Sequence, residues 1–252
     1  MKTIAVVEDN PDNRLLVRAI LEPEYRVVEY ESGKAALDGL SGNKPDLVLL
    51  DVSLPEMDGA EVLRRLRADA TLKDLPVIAL TAHAMAGDRE RFVAAGFDDY
   101  VSKPILDEQL LIKAIGRNLP GKPLEDTPAP KASATVPSSA IDRLCELGGN
   151  AFARDMIDLF LTYGAQKLAE ARQARQTGKM PDLADAVHAI KSSAGNVGAT
   201  VIQDLCAQIE QAVKLSQTEL AATRLAELEA AFGALMPELE REKVRLTQPP
   251  PA

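Results

Sequence analysis

The chain has 252 residues, 46% hydrophobic and 27% charged, a balance that excludes a wholly disordered, collagenous or membrane-embedded protein. Its 29 basic and 38 acidic residues give a formal net charge of -9, and with only 4% aromatic residues this disfavours direct binding to nucleic acid. The two cysteines (Cys145 and Cys206) and two histidines (His83 and His188) exclude a disulfide framework and a histidine-rich metal site.

Up to about residue 119 the chain alternates short apolar runs with helical periodicity, which is typical of βα units around a parallel sheet. We therefore predict an α/β doubly wound fold with a five-stranded parallel sheet. The strands are predicted at Ile4–Val7, Arg26–Tyr30, Leu47–Asp51, Val77–Leu80 and Asp99–Val101. The helices are predicted near Asp12–Leu21, Lys34–Leu40, Ala60–Ala68, Gly87–Ala95 and Asp107–Asn118.

The N-terminal apolar run is interrupted by acidic residues after four positions, so we expect a strand there and no signal peptide. No window approaches the roughly 18 apolar residues that a membrane span requires. We expect a cytoplasmic protein with no membrane insertion.

The composition changes after residue 119. Five prolines lie among small and polar residues between Pro120 and Pro137, a mixture typical of a flexible linker. From there on, helix-forming residues dominate, and an antiparallel all-α bundle is predicted, with two modest domains as the length suggests. The predicted organisation is a first domain over 1–119, a linker over 120–137, the bundle over 138–245 and a disordered tail over 246–252. Breaks between helices are expected at Gly148-Gly149, Gly178–Pro181 and Ser216.

Polar side chains stand where four of the predicted strands end. Glu8 and Asp9 follow the first strand, Asp51 ends the third, Thr81 follows the fourth, and Lys103 follows the fifth. Because ligands of a parallel sheet collect at the carboxyl ends of its strands, we expect these groups to meet. Three carboxylates repel one another unless a hard cation lies among them, and oxygen ligands suit Mg²⁺. With Mg²⁺ and the lysine the pocket is approximately neutral and able to accept a phosphoryl group.

Asp51 is the predicted nucleophile of this pocket, because a carboxylate beside Mg²⁺ can form an acyl phosphate. Lys103 is expected to pair with phosphoryl oxygens, and Thr81 to donate a hydroxyl hydrogen bond. A simpler interpretation is that acidic residues at strand ends only cap the following helices. That interpretation is the better one for any single position, but it does not explain suitable residues at four different strand ends. Ser53 replaces the second Asp of a DxD phosphatase motif, and Asp9–Ile20 lacks the Gly and Glu of an EF-hand loop.

Four motifs stand at these strand ends: V-V-E-D-N at Val6–Asn10, L-L-D-V-S-L-P-E-M-D-G at Leu49–Gly59, A-L-T-A at Ala79–Ala82 and Y-V-S-K-P at Tyr100–Pro104. In these motifs, residues 3–119 resemble the receiver domain of response regulators in two-component signalling. The resemblance implies that Asp51 is phosphorylated, that Glu8, Asp9 and the Ser53 carbonyl help to hold Mg²⁺, and that Thr81 and Tyr100 move together as a switch. It also implies a cis Lys103–Pro104 bond. The sequence departs from the common pattern at Glu8, where many members of the family have Asp. His83 is interpreted as a loop residue without a chemical role.

A second cluster surrounds His188, which lies about 200° around the helix from the apolar position Ile190 and is predicted to face water. Lys191, Ser192 and Gly195 share its face, where small neighbours leave the imidazole approachable and the lysine can neutralise phosphoryl oxygens. From spacing alone an ordinary surface histidine is the better interpretation. The predicted core stripe comprises Val187, Ile190, Ala194, Val197 and Val201.

The residues from His188 to Ala199 read H-A-I-K-S-S-A-G-N-V-G-A. In this motif, residues 138–245 resemble a histidine-containing phosphotransfer (HPt) domain, with Ser192 in the usual Gly position. The resemblance implies a four-helix bundle with a short leading helix, and a phosphate carried on His188.

The chain has neither a P-loop nor a glycine-rich ATP lid, so its phosphate is expected from a partner. Our leading hypothesis is a phosphorelay protein between an upstream sensor histidine kinase or HPt protein and a downstream receiver-domain regulator, with exchange in cis also open. The alternative is a binding adaptor that Asp51 phosphorylation switches, in which His188 is marginal. The bundle segment from Ser138 onward has 12 basic and 15 acidic residues, which disfavours a nucleic-acid partner.

Overall fold

The computed structural model describes residues 1–81, 88–105, 107–119 and 139–247. The chain divides into two compact units, Met1–Val136 and Pro137–Ala252. The predicted linker over 120–137 lies outside the described residues, as do Ala82, His83, Gly87 and Ser138.

The first unit contains a five-stranded sheet in the order β2-β1-β3-β4-β5, in which every neighbouring pair is parallel. This confirms the predicted doubly wound α/β fold. All five residues of both β3 and β4 are buried, as expected for central strands covered on both faces. The strands are β1 (Thr3–Val7), β2 (Arg26–Tyr30), β3 (Leu47–Asp51), β4 (Val77–Thr81) and β5 (Asp99–Ser102).

Five helices alternate with these strands, and short polar side chains cap most of them. Asn10 accepts a hydrogen bond from the Asp12 amide at 2.9 Å, and Asp58 accepts one from the Glu61 amide at 2.8 Å. Such caps satisfy amides that the helix leaves unpaired at its first turn. The helices are α1 (Pro11–Leu21), α2 (Gly33–Leu40), α3 (Gly59–Ala68), α4 (Asp88–Ala94) and α5 (Glu108–Asn118).

Gly59 allows α3 to begin directly against the end of β3. A Cβ at this position would contact the Asp51 carbonyl oxygen and lie 2.8 Å from the Val52 Cα. The Gly59 amide donates to the Val52 carbonyl at 3.0 Å. This close approach fixes the backbone immediately after Asp51.

The second unit consists of α6 (Ala140–Gln176), α7 (Met180–Asn196), α8 (Thr200–Lys214) and α9 (Thr218–Thr247). α6 packs against α7 and α9, and α8 packs against the same two helices, which confirms the predicted four-helix bundle. Gly149 has non-helical angles, φ 78 and ψ 178, and separates a short leading segment from the rest of α6. The left-handed residues Gly178 and Ser216 lie in the next two predicted breaks.

Two predictions for this unit are wrong. The His188 helix does not continue to Val201, because the left-handed Gly198 (φ 74) separates α7 from α8, and Val201 is 64% exposed on α8. The tail does not begin at residue 246, because α9 continues to Thr247 and Leu246 is buried. In the described ranges, no helix combines the length and apolar character needed to cross a membrane.

Candidate functional site

The strand ends of the first unit bring three acidic residues together. Glu8 and Asp9 follow β1, and Asp51 is the last residue of β3, the neighbour of β1 in the sheet. One carboxylate oxygen from each of the three lies within 4.8 Å of the other two. The structure therefore places these residues where the strand-end argument predicts them.

Lys103 enters the cluster from the end of β5. Its Nζ donates to Asp51 Oδ2 at 2.6 Å and to Glu8 Oε2 at 2.9 Å. The three side chains are only 5%, 3% and 1% exposed for the lysine, Asp51 and Glu8. The Lys103 amide donates to the Thr81 carbonyl at 2.7 Å, and the Lys103–Pro104 bond is cis, as expected.

Burial and charge shift the pKa values of this cluster in a consistent way. Burial raises the pKa of Glu8 to about 8, with the charge of Asp51 adding to it and that of Lys103 opposing it. Burial alone would lower the pKa of Lys103, but the carboxylates of Glu8 and Asp51 raise it above its usual value. The three carboxyl groups offer hard oxygen ligands within reach of one another, and this donor set fits a divalent cation, whose charge would also favour ionisation of Glu8.

Two residues that the sequence argument missed hold the Glu8 loop. Asn13 on α1 donates to Glu8 Oε1 at 3.1 Å. Arg14 donates to the carbonyl oxygens of Glu8 and Asp9, at 2.6 and 2.8 Å. Their spacing was the available signal, since Asn13 and Arg14 stand four and five positions beyond Asp9, on the first turn of the predicted helix.

The remaining predicted residues surround Asp51. The Ser53 amide donates to Asp51 Oδ1 at 2.9 Å, so each Asp51 oxygen has a partner. Thr81 ends β4 and is buried. Tyr100 lies on β5 with its ring stacked on Phe92, at 5.8 Å between centroids and 24° between planes.

The capping interpretation does not account for the cluster. The side chains that cap α1, α3 and α5 are Asn10, Asp58 and Asp107. Glu8 and Asp51 instead bind Lys103 in the interior. The buried site is therefore separate from the side chains that cap these helices.

The second unit places His188 in contact with two charged side chains. His188 Nδ1 lies 2.7 Å from Glu210 Oε1, which belongs to α8. The Nζ of Lys191, on the same helix as the histidine, donates to Glu210 Oε2. Hydrogen bonds from the histidine and the lysine lower the pKa of Glu210 below its usual value, although burial alone would raise it.

The prediction that His188 faces water is wrong. Its side chain is 22% exposed, and its Nε2 atom is buried without a hydrogen-bond partner in the part of the chain that the structure describes. Gly195, predicted on an open face, is buried as well. α7 packs between α6 and α8, and α8 brings Glu210 into contact with the Nδ1 edge of the imidazole.

Glu210 was missed because it lies 22 residues beyond His188 on another helix. The sequence did contain one indication of its role: Glu210 lies beside the buried stripe of α8, next to Ile209 and one turn after Cys206. A charged residue at the margin of a core stripe indicates a partner on the neighbouring helix.

Comparisons with known families assign each of the two units to a domain family. The sequence model of the response regulator receiver domain matches residues 4–115, and that of the Hpt domain matches residues 155–238. The polar-differentiation response regulator DivK of Brucella ovis is 45% identical over 105 residues, which cover 41% of this chain and 85% of DivK. The chain belongs to the response-regulator receiver family. Its receiver domain is followed by an HPt domain.

Relatives and solved structures extend the comparison. The signal transduction histidine-protein kinase BarA of Escherichia coli K12 is 33% identical over 229 residues, 86% of this chain, and the match spans 24% of BarA. A receiver domain of a sensor histidine kinase from Pseudomonas aeruginosa, solved with magnesium in its active-site cleft, has 36% identity and a TM-score of 0.43, covering 46% of this chain and 96% of that one. A histidine-kinase receiver domain from Syntrophus aciditrophicus has 32% identity and a TM-score of 0.44, covering 53% of this chain and 99% of that one.

Proposed function

We propose that this chain is a phosphorelay protein that accepts a phosphoryl group on Asp51 and carries one on His188. The observation that carries the proposal is the buried cluster of three carboxylates and Lys103 in a receiver domain, on the same chain as an HPt domain. Neither site alone requires a relay. Together they provide the aspartate and histidine carriers between which phosphoryl groups alternate.

In the receiver domain, Asp51 is the proposed nucleophile. One of its carboxylate oxygens forms a bond to phosphorus while the bond from phosphorus to the donor breaks, and the bonding pair leaves with the donor. Mg²⁺ held by Glu8, Asp9, Asp51 and the Ser53 carbonyl would supply positive charge opposite the phosphoryl oxygens. The buried ammonium of Lys103 is already next to Asp51 and can pair with a phosphoryl oxygen as the carboxylate charge is consumed.

Thr81 and Tyr100 are proposed to report the phosphorylation state. Thr81 is buried at the end of β4, and its carbonyl accepts from the Lys103 amide, so its hydroxyl is proposed to bind a phosphoryl oxygen held by Lys103. A partner that binds only the phosphorylated state would then be recruited.

In the HPt domain, His188 is the proposed phosphate carrier and Lys191 the cation beside it. Because Nε2 is buried in the structure, docking of a partner must uncover it before transfer. The Lys191 ammonium has three protons, so it can keep its bond to Glu210 and still face a phosphoryl oxygen.

We propose a sensor histidine kinase or another HPt protein as the upstream partner and a receiver-domain regulator as the downstream partner, by analogy with the kinase BarA. The cytoplasm is the proposed compartment, consistent with two free cysteines. Exchange between Asp51 and His188 in cis is a further route that the proposal includes.

The Asp51 assignment is tested with a small acyl phosphodonor and Mg²⁺. The wild-type chain should gain a base-labile phosphate, and Asp51→Asn should not. Asp58→Asn, which changes a capping aspartate of the same loop, is the matched control and should label normally. Full labelling of Asp51→Asn would show that another residue is the acceptor.

The His188 assignment is tested with a phosphorylated receiver domain of a relative as donor. The wild-type chain should drain its phosphate into an acid-labile, base-stable form, and His188→Gln should not. If His188→Gln leaves transfer and signalling intact while Asp51→Asn abolishes partner binding, the chain is a switched adaptor instead.

A further inference from the structure

We propose that Arg14 is a positioning residue of the receiver site, which fixes the Glu8–Asp9 loop in the conformation that binds Mg²⁺. The inference deepens the proposed function and rests on the Mg²⁺ site proposed there. Arg14 lies on α1 and offers no ligand atom to a cation, because a guanidinium group only donates hydrogen bonds.

The first step of the argument is the pair of contacts that Arg14 makes. Its Nη1 donates to the Glu8 carbonyl oxygen at 2.6 Å and to the Asp9 carbonyl oxygen at 2.8 Å. These carbonyls belong to the two peptide groups that flank the Asp9 Cα. Because each peptide group is planar, holding both carbonyls on one nitrogen fixes the direction in which the Asp9 side chain leaves the backbone.

The second step compares the restraints on the two acidic residues. Glu8 is fully buried, its amide donates to the Tyr30 carbonyl at 3.1 Å, and its carboxylate accepts from Asn13 at 3.1 Å and from Lys103 at 2.9 Å. Asp9 is only partly buried. Loss of Arg14 should therefore displace the Asp9 carboxylate more than that of Glu8.

The third step weighs the charge of Arg14, which opposes the binding of a cation. Arg14 is partly exposed, so solvent screens its repulsion of Mg²⁺. Its two short, charge-assisted hydrogen bonds act directly on the loop that carries two of the proposed ligands. We therefore expect orientation to outweigh repulsion. The sign of the change in Mg²⁺ affinity separates a positioning role from a purely electrostatic one.

The test is the dissociation constant of Mg²⁺, measured on the full chain by NMR titration, together with amide hydrogen exchange in metal-free buffer. Arg14→Ala should raise the dissociation constant about tenfold, the low end of the range for loss of a group that orients a metal ligand. Arg14→Lys keeps the charge but replaces the planar guanidinium, and should fall between Arg14→Ala and wild type. In metal-free buffer, Arg14→Ala should speed exchange of the Asp9 and Asn10 amides.

Phosphorylation of Asp51 by a small acyl phosphodonor gives a second measurement. At a Mg²⁺ concentration equal to the wild-type dissociation constant, a tenfold weaker site is occupied about fivefold less, so Arg14→Ala should react about fivefold more slowly. At saturating Mg²⁺ its rate should return to within about twofold of wild type. A defect of the same size at saturating Mg²⁺ would show that Arg14 does not act through the metal ligands.

Arg18→Ala is the matched control, because Arg18 lies one turn later on α1, carries the same charge and pairs with Glu29 at 3.2 Å. It should change the dissociation constant by less than about twofold. An affinity of Arg14→Ala equal to or above that of wild type, or an equal loss in Arg18→Ala, overturns the role of Arg14. If Arg14→Ala does not fold, Arg14→Lys decides by the same measurements. If the wild-type chain binds no Mg²⁺, the proposed metal site fails instead, and hydrogen exchange at Asp9 and Asn10 still tests the Arg14 contact.

Discussion

The receiver site is assembled from separate strand ends and lies almost wholly out of solvent, whereas the HPt site consists of three side chains on two neighbouring helices, each about one-fifth exposed. In the receiver, Lys103 compensates two buried carboxylates. In the HPt domain, Glu210 connects the histidine to Lys191. The difference teaches that the first cluster is a buried concentration of charge held by the sheet, while the second is a partly exposed set of ion pairs that depends on the packing of two helices.

The same substitution at the two lysines should separate the sites most strongly. Lys103→Met leaves Glu8 and Asp51 buried without their counter-charge and should lower the free energy of unfolding of the receiver by about 3 to 5 kcal/mol in metal-free buffer. Lys191→Met breaks a partly exposed pair and should cost the bundle about 1 kcal/mol. Hydrogen exchange resolved by domain measures both. Equal losses of unfolding free energy in the two variants would show that burial does not make the Lys103 ion pairs more important for stability than the Lys191 pair.

A glycine pair tests how tightly the receiver backbone is held at Asp51. Gly59→Ala places a Cβ against the Asp51 carbonyl and should destabilise the receiver by about 1 to 3 kcal/mol, with slower phosphorylation of Asp51. Gly116→Ala is the control on α5, where a Cβ meets nothing within 4 Å, and it should stabilise by about 0.5 to 1 kcal/mol. If Gly59→Ala were as stable as the control, the stability of the receiver would not depend on the close approach of α3 to β3.

Acid should weaken the contact between α7 and α8. The folded-state pKa of Glu210 is depressed, so its contribution to stability is present above the unfolded value of 4.5 and is lost as the pH falls through the lower folded value. Hydrogen exchange of α7 and α8 amides from about pH 6 to about pH 3 should show this loss, and Glu210→Gln should reduce it. An unchanged acid response in Glu210→Gln would assign the loss to other carboxylates.

The smallest expected effect tests the break between α7 and α8. Val201 is 64% exposed, so Val201→Ala should change the free energy of unfolding by no more than about 0.5 kcal/mol. Val187→Ala, at a fully buried member of the predicted stripe, should cost about 2 kcal/mol. Thermal unfolding of the bundle measures both changes. Similar losses of unfolding free energy in the two variants would indicate that Val201 belongs to the same buried stripe as Val187.

The receiver site could be predicted from sequence because the topology of a parallel sheet decides where its strand ends lie. Once Glu8, Asp51 and Lys103 are assigned to strand ends, their meeting follows from the order of the strands. Their mutual hydrogen bonds and the support from Asn13 depend on side-chain packing, which the strand pattern does not specify.

The HPt site was less predictable because helical periodicity describes one helix at a time. The periodicity correctly predicted that Val187 and Ile190 are in the core. It also predicted one helix through Gly198 and a solvent-exposed His188, and the structure shows neither. The contact with Glu210 depends on how α8 packs against α7, and the sequence of α7 alone does not contain that information.

The most direct test of the relay is to measure phosphate on both carriers of the wild-type chain. The chain is incubated with a small acyl phosphodonor and Mg²⁺, and separately with a phosphorylated receiver domain, and the bound phosphate is divided into base-labile and acid-labile fractions before site mapping by mass spectrometry. The account predicts base-labile phosphate on Asp51 in the first reaction and acid-labile phosphate on His188 in the second. Phosphate on neither residue, or equal labelling of the Asp51→Asn, His188→Gln double variant, would contradict it.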